Sequence, residues 1–514
     1  MKGAMQGQRR EPPRDWVFDP DLHGAGRWAD SAHLLARGYG PLGHHLLGWL
    51  PAETRGGTNT PITYGGARHE MIVAPTRGGK AVSGAVPRLL DHPGSAVVLD
   101  VKGGELALIT ARYRQDVLGQ NVVMIDPYDA VSSRLGVDPV RLNPVRSIDL
   151  DGDEAFDEAM LLSDAMTIGE RGGEAFWTDE AATLIAGLSL FQVQTGGTLH
   201  DLRADLNRDR EGFDALLEEM QASPYELVRS AAARMMNKAE KERSGVISTA
   251  QRNTHFLESA KLSASLSASD FNLQDLGRNT TLYIVLPVRR LHSARRWLRL
   301  LIALLIHAIA NLPERPEPPV LFLLEEMAAL ERLGIVERSF GLMAGLGLQM
   351  LAVVQDFSQL RDLYGERWQT FIANAASVQC FGTNDSFTAR YLSELSGQTT
   401  VERLTYESAE IRASLLGDPD YRGAGDAVHA RPLIRPEELM ALHPATQFIK
   451  LAAAHPVVAF RPAYFLDARY RNARGMPLFD IHPDHEHRAL PAPVNFERAG
   501  ARLGEMLDMY LRVG

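Results

Sequence analysis

The chain has 514 residues, and its 64 acidic and 54 basic side chains give a formal net charge of −10. With 45% hydrophobic and 23% charged residues, the composition excludes a disordered or collagen-like chain. At about 150 residues per domain, the length predicts roughly two to four domains. The acidic balance argues against nonspecific coating of nucleic acid, although it allows a locally basic channel.

The single cysteine, Cys380, excludes an intrachain disulfide. It lies in the apolar run 377–381, which predicts a buried and unreactive thiol. No signal-peptide pattern follows Met1, so we expect a cytoplasmic protein. The most apolar long segment, residues 300–313, is shorter than the roughly 20 residues that a bilayer requires. We therefore expect a buried helix there, not a membrane span.

Residues 1–66 mix proline, glycine, tryptophan and charged residues without sustained periodicity, and we interpret them as an N-terminal arm or an edge structure that leads into a domain. The pattern then changes to short apolar runs separated by turn residues, at 71–73, 96–99 and 122–125. Such runs are typical of parallel strands that are covered on both faces by crossover helices. Residues 67–150 are therefore predicted to form the first part of an α/β nucleotide-binding domain.

Between residues 151 and 270 the strand pattern is replaced by helically spaced apolar residues, at 154–166, 178–192 and 225–239. Strand-like runs resume in residues 271–470, at 282–286, 320–324, 349–354, 377–381 and around 447–451. An all-α insertion domain at 151–270 is the simplest explanation, with Trp177 and Trp297 as anchors of its core. Residues 471–514 form a C-terminal tail.

A candidate phosphate-binding loop follows the first of these strands. Residues 74–80 form a small-residue loop that ends in Gly79-Lys80 before a predicted helix. Backbone amides in such a loop can surround a phosphate, and the lysine can reach the outer phosphates. The strict motif is broken twice, because Ala74 replaces a glycine and Ala81 replaces the hydroxyl residue. The alternative is an ordinary strand-to-helix turn whose glycines permit close packing.

Two adjacent carboxylates, Glu325 and Glu326, end the apolar run 320–324. At a strand end, one carboxylate can anchor Mg²⁺ while a second one orients or deprotonates the attacking water. We assign the first role to Glu325 and the second to Glu326. The alternative is a helix start, where acidic side chains complement the dipole. Gln355 follows another predicted strand and is a candidate hydrogen-bond donor to a γ-phosphate or its water.

Other signals concern charged clusters. Five basic residues surround one predicted helix start: Arg289, Arg290, Arg295, Arg296 and Arg299. They predict either a basic strip that tracks nucleic-acid phosphates or a solvated face with ion pairs to neighbouring subunits; Arg290, Arg295 and Arg296 are the candidate contacts. A second basic stretch, 229–243, is interleaved with glutamates and predicts local ion pairs. We interpret the histidines of the tail as a surface loop and not as a metal site: His482, His485 and His487.

The chain resembles the coupling ATPases of type IV secretion and conjugative DNA transfer. The matching segments occur in the family's order from about residue 23 to about residue 470, so they cover most of the chain. They are residues 23–29, 74–80, 99–106, 126–127, 142–144, 323–330, 354–356 and 431–433.

The resemblance implies a RecA-like P-loop ATPase core with an inserted all-α domain. It implies that the ATP phosphates bind to Thr76, Arg77, Gly78, Gly79, Lys80 and Ala81. It further implies that Glu325 holds Mg²⁺, that Glu326 activates water and that Gln355 senses the γ-phosphate, so that Lys80, Glu326 and Gln355 form the catalytic set.

The expected function is ATP-driven delivery of DNA or a relaxase–DNA complex, with protein effectors as further cargo, to a type IV secretion channel. We expect a homo-hexamer at the cytoplasmic face of the inner membrane, which reaches the membrane through partners or through a missing N-terminal segment. The alternative is a non-hydrolysing recruitment scaffold with a degenerate nucleotide site. Three departures from the family bear on this choice: Glu325 stands at an aspartate position, Gly104 is an insertion, and Leu342-Met343 offer no arginine finger.

Overall fold

The computed structural model describes residues 24–52, 57–168, 175–403 and 427–480. Within these ranges, eleven strands form one sheet and two more form a separate ribbon. The strands are β1 (His45–Leu50), β2 (Thr60–Tyr64), β3 (Glu70–Val73), β4 (Ala96–Asp100), β5 (Asn121–Ile125), β6 (Thr280–Val285), β7 (Val320–Leu324), β8 (Leu348–Val354), β9 (Ser377–Cys380), β10 (Gln398–Arg403), β11 (Ala427–Pro432), β12 (Thr446–Leu451) and β13 (Val457–Phe460).

The sheet order is β2-β1-β13-β12-β9-β3-β8-β7-β4-β6-β5, and β10 pairs with β11 in the ribbon. The seven strands from β9 to β5 are all parallel. The apolar runs become parallel strands because both faces of the sheet are covered, so each residue of β3, β4, β6, β7, β8 and β9 is buried. These parallel strands confirm the predicted α/β core.

Four antiparallel strands extend the sheet beyond β9. The predicted strand around residues 447–451 is confirmed as β12, and β1 and β2 come from the segment interpreted as an N-terminal arm. We did not predict β13, an apolar run of only four residues, or the individual strands β1 and β2, whose sequences lack a clear alternation of apolar and polar residues. The buried thiol is confirmed, since burial raises the pKa of Cys380 to about 12.

The described residues form seventeen α-helices. They are α1 (Ser31–Ala36), α2 (Val86–Asp91), α3 (Glu105–Asp116), α4 (Ser132–Leu135), α5 (Ala155–Met166), α6 (Ala175–Thr195), α7 (Leu199–Leu206), α8 (Arg210–Gln221), α9 (Glu226–Met236), α10 (Glu240–Thr254), α11 (Ala260–Ser265), α12 (Arg295–Ala310), α13 (Gly334–Leu342), α14 (Phe357–Tyr364), α15 (Gln369–Asn374), α16 (Ser386–Ser396) and α17 (Pro436–Met440).

The helices α5 to α11 lie between β5 and β6 along the chain, which agrees with the expected helical insertion. This helical region packs directly on the sheet domain, because α5 contacts α12. Trp297 of α12 is fully buried and donates a hydrogen bond to the Ser265 hydroxyl over 2.9 Å, so it is the predicted core anchor. Trp177 is only half-buried against the same core.

The apolar segment 300–313 falls within and just after α12, which is buried along most of its length. Across the ranges that the structure describes, we find no helix with both the length and the apolar character needed to cross a bilayer.

Candidate functional site

The loop after β3 has a backbone that requires small residues. Arg77 and Gly79 adopt positive φ angles of 61° and 81°, and the Gly78 amide donates to the Pro75 carbonyl over 2.9 Å. A β-carbon on Gly79 would collide with the guanidinium of Arg461. Glycine is therefore favoured at position 79 by its left-handed backbone conformation, and it leaves room for the Arg461 guanidinium.

Lys80 begins the helix that follows this loop, and its side chain is buried, with 6% exposed. The first turn, Ala81–Ala85, is a π-helix, and α2 continues from it. Pro87 lies at the start of α2 and has no amide hydrogen, so it cannot complete the usual α-helical bond in this turn. The Lys80 side chain therefore lies at the end of the loop, where the helix begins.

The sheet order brings the predicted polar residues together, because β8 lies between β3 and β7. The Lys80 ammonium lies 3.6 Å from the Glu326 carboxylate. Gln355 follows β8, and its side-chain nitrogen donates to the Glu326 carboxylate over 3.4 Å. Its side-chain oxygen accepts from the Thr76 hydroxyl over 3.4 Å. A continuous polar chain therefore runs from the loop to the end of β7.

Glu325 occupies a different environment from that of Glu326. Its side chain is fully buried, and one carboxylate oxygen accepts a 2.7 Å hydrogen bond from the Lys102 ammonium. The other oxygen has no hydrogen-bond partner among the described residues. Burial raises the pKa of Glu325, while Lys102 opposes this shift. Glu325 therefore presents one unused oxygen next to the polar chain.

Asp100 ends β4, the strand beside β7, and we assigned it no role from the sequence. One of its oxygens accepts from the Ala107 amide over 2.9 Å and so fixes the start of α3. Its other oxygen has no partner within the part of the chain that the structure describes. Burial and the neighbouring Glu325 raise the pKa of Asp100 to about 8. Unpartnered carboxylate oxygens are the ligands that Mg²⁺ prefers, so Asp100 and Glu325 fit this ion.

Gly103 and Gly104 form a turn between β4 and α3. Both have positive φ angles, 84° and 87°, and a β-carbon on Gly104 would collide with Val131. Two successive left-handed residues are accessible chiefly to glycine. These glycines thus shape the turn that follows Lys102, the partner of Glu325.

Arg461 is a site residue that we did not predict. It follows β13 and donates to the Gly78 carbonyl over 2.6 Å, to the Ser83 hydroxyl over 3.2 Å and to the Pro444 carbonyl over 2.9 Å. Its guanidinium lies 4.3 Å from the centre of the Phe381 ring. Burial lowers the pKa of Arg461 to about 10. Arg461 therefore braces the loop from the antiparallel part of the sheet.

A cavity of about 680 Å³ lies beside the loop and the polar chain, a size within the roughly 300–1,000 Å³ range of ligand sites. One part of its lining is polar and includes Thr76, Lys80, Lys102 and Glu326. Another part is apolar and comprises Ile109, Val288, Leu291, Tyr464 and Phe465. This combination can hold a molecule that has both a charged end and an aromatic or apolar end.

The structure does not arrange the five arginines as one exposed strip. Arg299 is buried and donates to backbone carbonyls of Ala165 and Leu330, so its inclusion in that strip was wrong. Arg295 pairs with Glu331, and Arg296 is half-buried and bonded to the Met166 carbonyl. Arg289 and Arg290 are exposed, with Arg290 over the Tyr128 ring.

The second basic stretch forms the predicted local ion pairs, Arg229 with Glu226 and Lys238 with Glu242. Arg234 instead pairs with Glu180 of another helix. The three tail histidines lie outside the described residues.

The strand order, the loop and the carboxylates at the ends of neighbouring strands define a RecA-like P-loop protein with a helical insertion. Residues 49–486 match the family described as "Type IV secretory system Conjugative DNA transfer". The chain belongs to this family of conjugative DNA-transfer proteins.

Two curated relatives show how far the similarity extends. The conjugal transfer protein TraG of Escherichia coli is 26% identical over 515 residues, covering 89% of this chain and 79% of TraG. Protein VirD4 of Agrobacterium fabrum is 27% identical over 467 residues, covering 87% of this chain and 67% of VirD4.

Solved structures show the same fold. The bacterial conjugative coupling protein TrwB in complex with sulphate has a TM-score of 0.61 at 16% identity, covering 87% of this chain and 96% of that one. TrwB in complex with the ATP analogue ADPNP has a TM-score of 0.60 at 18% identity, covering 80% and 88%.

Proposed function

We propose that this chain is an ATP-driven coupling protein that delivers DNA or nucleoprotein to a type IV secretion channel. The observation that carries this proposal is the chain of contacts from Lys80 through Glu326 to Gln355 beside the cavity. Membership of the conjugative DNA-transfer family supports the choice of cargo.

The triphosphate of ATP would lie along the loop residues Thr76 to Ala81. The loop amides and the helix start favour anions, and the buried Lys80 exchanges its contact with Glu326 for the outer phosphates. The apolar lining beside Tyr464 and Phe465 offers a surface for the base. TrwB has been solved with ADP and Mg²⁺ and with ADPNP, which supports a nucleotide in this fold.

Mg²⁺ would be held by the unpartnered carboxylate oxygens of Glu325 and Asp100. The ion, when bound, neutralises charge on the phosphate oxygens. Ala81 supplies no hydroxyl ligand, so these two carboxylates are the only protein ligands that we assign to Mg²⁺. Lys102 keeps the remaining oxygen of Glu325 in place.

Hydrolysis requires a water molecule aligned with the γ-phosphate. Glu326 accepts a proton from this water, while Gln355 orients the water or hydrogen-bonds the phosphate. Positioned acid–base groups of this kind contribute about 10²–10⁴-fold in rate. Glu326 is suited to the task because it is the carboxylate that faces Lys80 at the cavity.

The proposed partners follow from the family and not from this chain alone. They are DNA or a relaxase–DNA complex, type IV secretion components and protein effectors. We propose a homo-hexamer at the cytoplasmic face of the inner membrane, because the site lacks an assigned arginine finger and a ring would let a neighbour complete it.

The proposal is tested by measuring ATP turnover with and without single-stranded DNA. We expect turnover that DNA stimulates and that Lys80→Ala abolishes. Turnover of the unaltered protein no greater than that of Lys80→Ala, with or without DNA, would contradict an ATPase.

A non-hydrolysing recruitment scaffold is the second candidate. It is favoured by Ala81, which provides no metal ligand, and by Lys102, which already neutralises Glu325. A scaffold would bind an ATP analogue weakly or not at all and would still bind protein substrates. Equilibrium binding of a fluorescent ATP analogue, measured beside turnover, separates the two candidates.

A further inference from the structure

Three histidines meet at the end of the sheet opposite the nucleotide-binding loop. His45 begins β1, His44 precedes it, and His92 caps the carboxyl end of α2. One nitrogen from each ring can be chosen so that all three lie within 4.8 Å of one another. Glu70, at the amino end of β3, borders the group, whereas the loop follows the carboxyl end of that strand.

Glu70 fixes the orientation of His45. Its carboxylate lies 2.5 Å from His45 Nδ1, and its other oxygen accepts from the Arg88 guanidinium over 2.9 Å. Glu70 therefore occupies Nδ1 of His45, and Nε2 on the other side of the ring remains for a second partner.

Nε2 of His45 faces His92. His45 Nε2 lies 3.2 Å from His92 Nδ1, close to the separation of roughly 3.3 Å between two imidazole nitrogens that share a tetrahedral zinc ion at about 2.0–2.1 Å. His92 is fully buried, and its Nε2 has no well-aligned hydrogen-bond partner in the described ranges. The facing nitrogens are therefore spaced for a shared ion.

His44 provides a third imidazole beside this pair. Its ring centre lies 4.5 Å from that of His45 and 5.6 Å from that of His92. Its Nε2 is buried and lacks a hydrogen-bond partner among the residues that the structure describes. His44 therefore offers a nitrogen to an ion shared with His45 and His92.

A purely structural arrangement explains these features less completely. A hydrogen bond between His45 and His92 leaves the buried His44 Nε2 without a partner, and His92 Nε2 without a well-aligned one, among the described residues. Buried polar atoms are seldom left in this state. The pattern of a carboxylate behind a histidine that faces other histidines is that of metal sites with a supporting outer shell.

We propose that His44, His45 and His92 form a binding site for a divalent zinc-class ion, with Glu70 orienting His45. Three imidazoles and one water would complete a four-coordinate site. The ion would join β1 to the end of α2, the helix that begins near Lys80. It would thereby link the antiparallel extension of the sheet to the nucleotide-binding loop.

The test uses the full chain purified without a histidine tag and stripped of metal by a chelator. Zinc content after adding Zn²⁺ and removing the excess is measured by mass spectrometry, together with the visible spectrum of the Co²⁺-substituted protein. We expect one equivalent of bound zinc that requires His44, His45 and His92. The Co²⁺-substituted protein should show the strong visible absorption of four-coordinate Co²⁺. His92→Asn and the half-buried His44→Asn should each lose both signals.

Two control variants separate this site from other histidines. The triple replacement His482→Ala, His485→Ala and His487→Ala removes the tail histidines, and His455→Ala removes one ring of the stacked pair His33 and His455. Both controls should keep the cluster's zinc equivalent and the Co²⁺ spectrum. The proposal is overturned if these signals vanish in the tail variant, if they persist in both cluster variants, or if Co²⁺ in the unaltered protein gives only weak six-coordinate absorption.

Folding is monitored in parallel by thermal unfolding. Zn²⁺ should raise the melting temperature of the unaltered protein but not that of His44→Asn. If the two proteins melt alike in chelator and respond equally to Zn²⁺, the cluster is not the site.

Discussion

The Lys80 ammonium and the Glu326 carboxylate lie 3.6 Å apart, so that each supplies the opposite charge that the other needs beside the cavity. Burial lowers the pKa of Lys80, whereas Glu326 raises it. A bound triphosphate would replace Glu326 as the partner of the lysine. The same exchange would release Glu326 to act on water, so that nucleotide binding makes the catalytic base available.

Glu326→Gln should therefore separate binding from hydrolysis. We expect turnover to fall by about 10²–10⁴-fold because the base is lost. Affinity for ATP should be unchanged or higher, because a negative charge beside the phosphates is removed. Steady-state turnover and analogue binding are measured in parallel, with Glu366→Gln, an exposed glutamate, as the control. Equal turnover in the two variants would exclude Glu326 as the base.

Shortening Glu325 to aspartate tests the proposed metal site. Glu325→Asp withdraws the carboxylate from Lys102 and restores the residue that the family usually has at this position. We expect higher Mg²⁺-dependent turnover, measured over a series of Mg²⁺ concentrations. Rates that do not change at any concentration would contradict the view that the longer side chain weakens this site.

Arg461 should stabilise both the loop and the fold. Arg461→Ala leaves the carbonyls of Gly78 and Pro444 without this donor, which we expect to cost about 1–3 kcal/mol of unfolding free energy. Nucleotide affinity should fall as well, because the loop loses its support. Urea unfolding and analogue binding are compared with Arg474→Ala, an exposed arginine of the same segment. If both variants match the unaltered protein, Arg461 does not brace the loop.

The raised pKa of Asp100 predicts a stability that falls with increasing pH. Between the ordinary value of 3.8 and about 8, the folded protein without Mg²⁺ holds a proton on Asp100 that the unfolded state has released. The free energy of unfolding therefore decreases as the pH rises through this interval. Asp100→Asn should flatten the slope and retain the acceptor for the Ala107 amide. A slope that is identical in Asp100→Asn would show that Asp100 is ionised in the folded protein.

The exposed pair Arg289 and Arg290 is now the better candidate for a nucleic-acid contact. Reversing both charges should weaken single-stranded DNA binding and reduce its salt dependence by about 0.7 per lost phosphate contact. Arg295→Gln should instead lower the melting temperature, because it breaks the pair with Glu331. Fluorescence anisotropy at several salt concentrations measures the first effect. Unchanged affinity and salt slope after both reversals would remove this surface from consideration.

The parallel core could be predicted because its strands are buried on both faces and are therefore apolar along their whole length, as in 320–324. The polar residues that follow these strands were predicted from local sequence, and the sheet order explains why Glu326 and Gln355 meet Lys80. Arg461 was missed because its partners Gly78 and Ser83 are distant in sequence, and no local periodicity reports such contacts. Asp100 was missed because Glu325, the carboxylate that helps to raise its pKa, follows a different strand. The burial of Arg299 and the pairing of Arg295 could not be predicted for the same reason, since the carbonyl of Ala165 and Glu331 are distant in sequence.

The most direct test of the central claim is a structure of the protein with Mg²⁺ and a non-hydrolysable ATP analogue. We predict a triphosphate along residues Thr76 to Ala81, with the Lys80 ammonium on the outer phosphates and no longer on Glu326. The claim would be contradicted if the protein, saturated with the analogue, bound it outside this cavity and kept the contact between Lys80 and Glu326.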